Sequence, residues 1–289
     1  MGFWTLLTEQ IKQSTNQAFQ LKSKNPIGSG CINQAYRISD GKTDYFVKLN
    51  SARFGDMFEV EALSLGEIAE SHTIKVPQPV CYGQIVDQAY LVLQHLDLSG
   101  RVNAELQGQQ LAAMHRVTGD RFGWYRNNTI GSTPQSNTLN NNWISFWREQ
   151  RLLPQLQLAQ QNGYHLPQVE QLTQSFDCLF DNYHPQPSML HGDLWGGNAA
   201  ALADGTPVIF DPAFYYGDRE ADIAMTQLFG GFDSRFYAAY NEAFPLDEGY
   251  KLRTTFYNLY HIINHLNLFG SGYLGQATSM ADRVLAEIK

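Results

Sequence analysis

His191-Gly192-Asp193-Leu194-Trp195-Gly196-Gly197-Asn198, followed at a short distance by Asp211-Pro212-Ala213, decides how this chain is read. The frame His-x-Asp-x-x-x-x-Asn sets a carboxylate, Asp193, where it can accept a hydroxyl proton, and an amide oxygen, on Asn198, where it can ligate a magnesium ion. Asp211 adds a second hard oxygen ligand. Phosphoryl transfer asks little covalent work of a protein. One group must orient the attacking hydroxyl, and oxygen ligands must hold Mg²⁺ against the phosphates. The two stretches therefore predict a phosphotransferase site. The apolar runs Ser188-Met189-Leu190 and Pro207-Val208-Ile209-Phe210 predict two short buried strands, with Asp204-Gly205 as the turn of a hairpin that would bring the two aspartates close.

Around this motif the composition sets limits. A chain of 289 residues with 43% hydrophobic and 13% aromatic residues can bury one large core or two modest ones, which predicts a globular protein rather than a disordered one. Twenty Lys and Arg against 28 Asp and Glu give a net charge of −8. No basic cluster is dense enough to follow a nucleic-acid backbone or an anionic membrane, so neither is an expected partner. No apolar stretch approaches the length of a membrane span, and the first residues lack the layout of a signal peptide. Leu6 stands where a myristoylation signal needs Ser or Thr. The expected location is cytoplasmic. Cys31, Cys81 and Cys178 are widely spaced and odd in number, which argues against a zinc site and a disulfide framework. Cys81 and Cys178, among apolar or aromatic neighbours, are expected to fill core space. Cys31, in a Gly-rich loop, is either a redox-sensitive thiol or an inert turn residue.

Along the chain, Phe3, Leu6, Leu7 and Ile11 have helical spacing. Strand signals follow at residues 35–38, 45–49 and 90–93, and between them Phe58, Ala62, Leu65 and Ala69 recur as the stripe of one helix. From about Asn103 the signals turn helical, over residues 106–117, 143–158, 169–180, 252–268 and 281–288. This predicts two lobes, residues 1–96 and 97–289, divided near Gln94-His95-Leu96. Residues 126–142 form the longest unpatterned stretch, which reads as a substrate-side loop.

On the nucleotide side, Ile27-Gly28-Ser29-Gly30-Cys31-Ile32-Asn33 falls where a phosphate-covering turn would lie, its glycines letting backbone amides approach phosphate. It has Asn33 in place of a third glycine, so an ordinary hairpin turn is the competing reading. Lys48 sits late in a strand whose Tyr45, Val47 and Leu49 share one face, leaving Phe46 and Lys48 on the other. Lys48 falls where a phosphate-pairing lysine should lie, ahead of a helix able to supply a glutamate. At 100° per residue Glu61 borders the apolar stripe, Glu59 and Glu70 lie farther round and Glu67 points away. Glu61 is therefore the expected partner. Asp222 is expected to brace the catalytic loop by hydrogen bonds and His191 to be structural, while His115, His261 and His265 read as ordinary helix residues.

With these parts in place, the chain resembles the fructosamine kinases, also called ketosamine-3-kinases, in the aminoglycoside-phosphotransferase-like branch of the protein-kinase fold. The resemblance covers nearly the whole chain. It rests on residues 28–33, Phe46-Val47-Lys48, residues 57–62, residues 128–135, the loop 191–198, Asp211-Pro212-Ala213 and Gly217-Asp218-Arg219-Glu220-Ala221-Asp222. The Leu-Trp-Gly-Gly filling of the catalytic loop is its most specific mark. Relatives that phosphorylate choline or antibiotics fill that loop differently.

The resemblance implies an α+β, bilobal, protein-kinase-like fold, with a small antiparallel-sheet N-lobe carrying one main helix and a larger, mostly helical C-lobe. It implies ATP- and Mg²⁺-dependent phosphorylation of the 3-hydroxyl of a ketosamine (ribulosamine, erythrulosamine or fructosamine), free or protein-bound, in deglycation. Asp193 becomes the base and Asn198 and Asp211 the metal ligands. Lys48 and Glu61 become the phosphate-positioning pair, Gly28 and Gly30 part of the phosphate-covering turn, and Gln94, His95 and Leu96 the hinge that meets adenine. Trp195 with Tyr215 and Tyr216 forms the expected aromatic clamp on the sugar, or Trp195 packs against Tyr215 or Tyr216. The expected assembly is a monomer or weak homodimer. Gly192 in place of the usual Arg, and Pro212-Ala213 in place of Phe-Gly, imply no activation-loop phosphorylation switch. The competing functions are a kinase of another small alcohol (an aminoglycoside, choline or homoserine) and a nucleotide-binding pseudoenzyme. The second is opposed by the presence of Lys48, Asp193, Asn198 and Asp211.

Overall fold

A computed structural model describes residues 2–28 and 33–288. Gly30 and Cys31 lie outside the described residues. The chain divides into two compact units, one of Met1–Asn103 with Ala200–Asp211 and one of Ala104–Ala199 with Pro212–Lys289. The architecture is α+β, and among the described residues no helix is long and apolar enough to cross a membrane.

In the first unit, helix α1 (Phe3–Thr15) precedes strands β1 (Ser23–Pro26), β2 (Gln34–Ser39) and β3 (Asp44–Ser51); helix α2 (Gly55–Glu70) and strands β4 (Pro79–Ile85) and β5 (Gln88–Gln94) follow. The strands make one antiparallel sheet in the order β1-β2-β3-β5-β4. Alternation along β3 decides its two faces. Tyr45, Val47 and Leu49 enter a core with Leu7 and Ile11 of α1, while Lys48, paired in register with Ala35 and Leu91, takes the other face. Helix α2 buries Phe58, Ala62 and Leu65, with Ile68 rather than Ala69 completing the stripe. Patterning misses β1 and β4 for different reasons. All four β1 residues are exposed at the sheet edge, so no alternation marks them, and β4 has a register shift between Pro79 and Cys81.

The second unit begins with α3 (Ala104–His115), the hairpin β6 (Asn128–Ile130) and β7 (Thr133–Gln135), and α4 (Trp143–Trp147). A π-helical turn at Arg148–Leu152 leads into α5 (Leu153–Gln161), and α6 (Pro167–Ser175), a 3-10 turn at Phe176–Phe180 and strand β8 (Ser188–Leu190) follow. The helix expected over 143–158 is thus present, with a π-helical turn inside it. Pro154 stands in the first turn of α5, where its missing N–H does no harm, and the wider turn ahead of it places Arg151 fully inside.

Strands β9 (Ala199–Ala201) and β10 (Pro207–Ile209) pair with each other, and β8 pairs with β11 (Tyr215–Gly217). The expected hairpin of 188–190 with 207–210 is therefore replaced by two separate pairings. Asp204-Gly205 does sit in a turn, but the strand entering it is β9. The first unit ends after Asn103 rather than after Leu96 because the intervening segment follows that hairpin. Gly100 N–H meets Ala201 O at 3.1 Å, and Asn103 N–H meets Gly205 O at 3.0 Å. Helices α7 (Arg219–Leu228), α8 (Ser234–Ala243), α9 (Tyr250–Phe269) and α10 (Leu274–Glu287) complete the second unit. The two cysteines expected in the core depart from that reading. Cys178 is exposed and Cys81 only half-buried, with burial pushing the Cys81 thiol up to about 11.

Candidate active site

In the first unit the candidate groups meet around Lys48. The strand presents Lys48 away from the α1 core, and Nζ donates to Glu61 Oε1 of α2 at 2.7 Å and to Asp211 Oδ1 at 2.5 Å. Of the four glutamates on α2, Glu61 is the one that pairs with it. Burial alone would lower the Lys48 pKa, but the charges of Asp211 and Glu61 outweigh that cost and raise it above its ordinary range. Glu61 is pushed up to about 7, chiefly by burial and further by the second carboxylate, against the pull of Lys48. Asp211 follows β10 at φ +58°, a left-handed conformation that aspartate tolerates better than most residues.

In the second unit the buried strand β8 delivers the loop 191–198. Asp222, on α7, accepts His191 N–H at Oδ2 (2.7 Å) and Gly192 N–H at Oδ1 (2.8 Å). The side chain of Asp222 thus braces the loop. Gly192 sits at φ +82°, and a Cβ there would stand 2.0 Å from Ala213 O, which explains why the loop has no arginine at this position. Asp193 N–H donates to His191 Nδ1 at 3.2 Å. Asn198 Nδ2 donates to Asp193 O at 2.9 Å and to Asp193 Oδ2 at 3.2 Å, which leaves Oδ1 as the atom of that amide able to meet a cation.

Three substrate-side residues separate. Trp195 is 39% exposed and touches Phe229 edge-on at 6.1 Å, not Tyr215 or Tyr216. Tyr215 is buried, its ring stacked on Phe146 at 5.8 Å and covered by the Arg151 guanidinium at 4.1 Å. It therefore has no free face for a sugar, and the expected three-ring clamp is corrected in that member. Tyr216 is half-buried, edge-on to Phe214 at 5.5 Å. Gly28 is exposed with open space where a side chain would stand. Gln94, His95 and Leu96 lie at the end of β5, with Gln94 N–H bonded to Gln78 O at 2.8 Å.

Residues 126–142 are not an open substrate loop. The β6–β7 hairpin carries buried amides: Asn128 Nδ2 donates to Phe214 O at 2.7 Å and Gln135 Nε2 to Ala213 O at 3.2 Å. Tyr260 OH, at 2.7 Å from Gln135 Oε1, and Arg151 Nη2, at 2.7 Å from Asn137 Oδ1, complete the network. These side chains fix the backbone directly after Asp211-Pro212. His115 is more than an ordinary helix residue. It is fully buried and joins Asp222 to Tyr240. A histidine on the same apolar helix face as Leu111 and Ala112 gives no such signal without its distant partners. His261, by contrast, is buried and held down to about 3 by desolvation, as suits a neutral helix residue.

The sequence family described as fructosamine kinase matches residues 3–287. A Synechocystis sp. protein named "Probable ketoamine kinase" is 46% identical over 286 residues, covering 98% of this chain and 97% of its own. The Arabidopsis thaliana protein-ribulosamine 3-kinase, chloroplastic, is 42% identical over 281 residues, 94% of this chain and 86% of that protein. The crystal structure of a Haemophilus somnus 129PT protein, provisionally named a fructosamine-3-kinase, superposes with a TM-score of 0.91 at 29% identity, covering 98% of each chain. A likeness of fold alone extends to the aminoglycoside phosphotransferase APH(4)-Ia, at a TM-score of 0.62 and 15% identity over 99% of this chain and 98% of that one.

Proposed function

Because the chain belongs to the fructosamine kinase family, we propose that it is an ATP-dependent kinase that phosphorylates the 3-hydroxyl of ketosamines, with ribulosamines and erythrulosamines used at least as well as fructosamines. The observation that carries the phosphotransferase reading is Lys48, a buried ammonium kept charged between Glu61 and Asp211. Such a cation is suited to phosphate oxygens. In the proposed reaction the substrate O3 forms a bond to the γ-phosphorus of ATP as the bond to the β–γ bridging oxygen breaks. ADP leaves, and the O3 proton passes to the Asp193 carboxylate.

The donor set fits magnesium, since Asn198 Oδ1 and the Asp211 carboxylate are both hard oxygens. Asn198 and Asp211 would hold the ion, which when bound would neutralise phosphate charge. Among the described residues no group of three His, Cys, Asp or Glu side chains is placed to hold a metal. That suits an ion which takes most of its ligands from phosphate and water. Trp195, half-exposed within the loop, is the proposed face for the sugar. Gly28 and Gly30 are the proposed phosphate-covering turn and residues 94–96 the adenine hinge. A cytoplasmic monomer or weak homodimer acting on free or protein-bound ketoamines is part of the same reading.

The test is ADP release with purified protein across ribulosamines, erythrulosamines, fructosamines and unglycated amino-alcohols. Turnover confined to the ketoamines supports the proposal. Turnover of choline, homoserine or an aminoglycoside with none of any ketoamine would reassign the substrate while leaving the nucleotide side as drawn.

A further inference from the structure

We propose that His115, Tyr240 and Arg219 are positioning residues for the catalytic loop, joined in a one-way hydrogen-bond chain that ends on Asp222. The proposal rests on reading Asp193 as the base of the transfer. The atoms run in order. Arg219 Nη1 lies 3.2 Å from Tyr240 Oη, Tyr240 Oη lies 2.8 Å from His115 Nδ1, and His115 Nε2 lies 3.2 Å from Asp222 Oδ2. Asp222 then receives the His191 and Gly192 amides at 2.7 and 2.8 Å.

The two ends fix the direction of every bond between them. A guanidinium can only donate and an ionised carboxylate can only accept. His115 therefore donates from Nε2 and accepts at Nδ1, so the Tyr240 hydroxyl donates to His115 and accepts from Arg219. A doubly protonated ring would aim a second donor at Tyr240 and break the sequence. Desolvation keeps that ring from charging, lowering the pKa of His115 against the opposing pull of Asp222. Burial would raise the pKa of Asp222, but the hydrogen bond from His115, with the His191 backbone donor, holds it below the usual carboxylate range. Each member is thus left with one compatible state.

Packing brings the chain together. Helices α3 and α8 approach so closely at Gly108 that a Cβ there would stand 2.3 Å from Phe236 O and 2.9 Å from Tyr240 N. That approach sets the Tyr240 ring edge-on to the His115 ring, at 5.6 Å. Arg219 is itself anchored on Phe244 O at 2.7 Å and Pro245 O at 2.5 Å. The result is a carboxylate fixed from behind by His115 and offered in front to two successive amides. Gly192 has no room to shift, and the next amide, of Asp193, is tied to His191 Nδ1. A tilt of Asp222 would therefore be passed to Asp193.

A purely structural network predicts lost stability and nothing else. The distinguishing experiment compares Tyr240→Phe, His115→Gln and His115→Leu by steady-state kinetics and by amide hydrogen exchange at residues 191–193. In folded Tyr240→Phe, kcat should fall about tenfold with KM for ATP unchanged, and exchange at His191 and Gly192 should quicken. His115→Gln keeps a donor near the Nε2 position and should recover much of the kcat lost in His115→Leu. The double variant Tyr240→Phe/His115→Leu should be no slower than His115→Leu alone. Unchanged kcat and unchanged exchange in Tyr240→Phe would overturn the proposal, as would a kcat loss that simply follows melting temperature across the set. Should His115→Leu not fold, Tyr240→Phe, which loses one oxygen, still decides. If the wild-type protein turns over no ketoamine, the functional reading fails, and the exchange measurement alone decides the relay.

Discussion

Lys48 holds one positive charge between Glu61 and Asp211, so this cluster has one more carboxylate than its cation neutralises. The excess has a pH signature. Glu61 stands at about 7 in the fold against an ordinary 4.5, so between these values the folded protein binds more protons than the unfolded chain. Stability from this carboxyl is present below the unfolded value and is lost as pH rises through the folded one. Glu61→Gln removes the titration. Its melting temperature relative to wild type should climb as pH goes from about 5 to about 8, and a difference that stays level across that range would contradict the assignment. For the chemistry, Asp193→Asn should cut kcat by about 10²-fold or more with ATP affinity nearly intact. Asp211→Asn should weaken nucleotide affinity and Mg²⁺ dependence together. An Asp193→Asn enzyme retaining most of its turnover would remove Asp193 as the base. Glu61 is legible from sequence because helix geometry orders four glutamates around one apolar stripe. His115 is not, because its partners Tyr240 and Asp222 lie 125 and 107 residues away.

At the scale of elements, the π-helical turn Arg148–Leu152 decides what the second unit's core looks like. It carries Arg151 fully inside, where Nη1 donates to Ser136 O at 2.6 Å and Nη2 to Asn137 Oδ1, and the guanidinium lies over the Tyr215 and Phe146 rings. Arg151→Met keeps the volume but strands those acceptors, so unfolding free energy measured by denaturant should fall by about 2–4 kcal/mol. A loss under about 0.5 kcal/mol would mean that water replaces the arginine. Sequence periodicity reads 143–158 as one helix because Trp143, Trp147 and Leu158 keep helical spacing through the π-helical turn. It carries no mark of where a turn widens. The hairpin error has a similar cause: strands of three residues such as β8 and β10 declare burial but not partner, and β9, three alanines, declares neither. Helix α8 did carry a readable signal. Asp233 caps it through Arg235 N–H at 2.9 Å, and Phe236, Ala239 and Tyr240 form its buried stripe.

Across the whole molecule, the α+β plan of a five-stranded antiparallel sheet with its helices, and a mainly helical second unit, follows from the switch between period-two and helical spacing near residue 100. The return of Ala200–Asp211 to the first unit does not, since it depends on Gly100 and Asn103 finding backbone partners a hundred residues later. The family marks are legible as a set and divide by role once placed. Asn128, Gln135, Asp218 and Asp222 hold backbone or buried networks, and Asp193, Asn198, Asp211, Lys48 and Glu61 hold the proposed chemistry. The proposed reaction places phosphate on O3 of a ketosamine. Phosphorus–carbon correlation NMR of the product made from ribulosamine and ATP tests it most directly. One phosphomonoester coupled to C3 is expected, absent when Asp193→Asn replaces the wild-type protein. Phosphate on another carbon, or an undiminished product from Asp193→Asn, would contradict it.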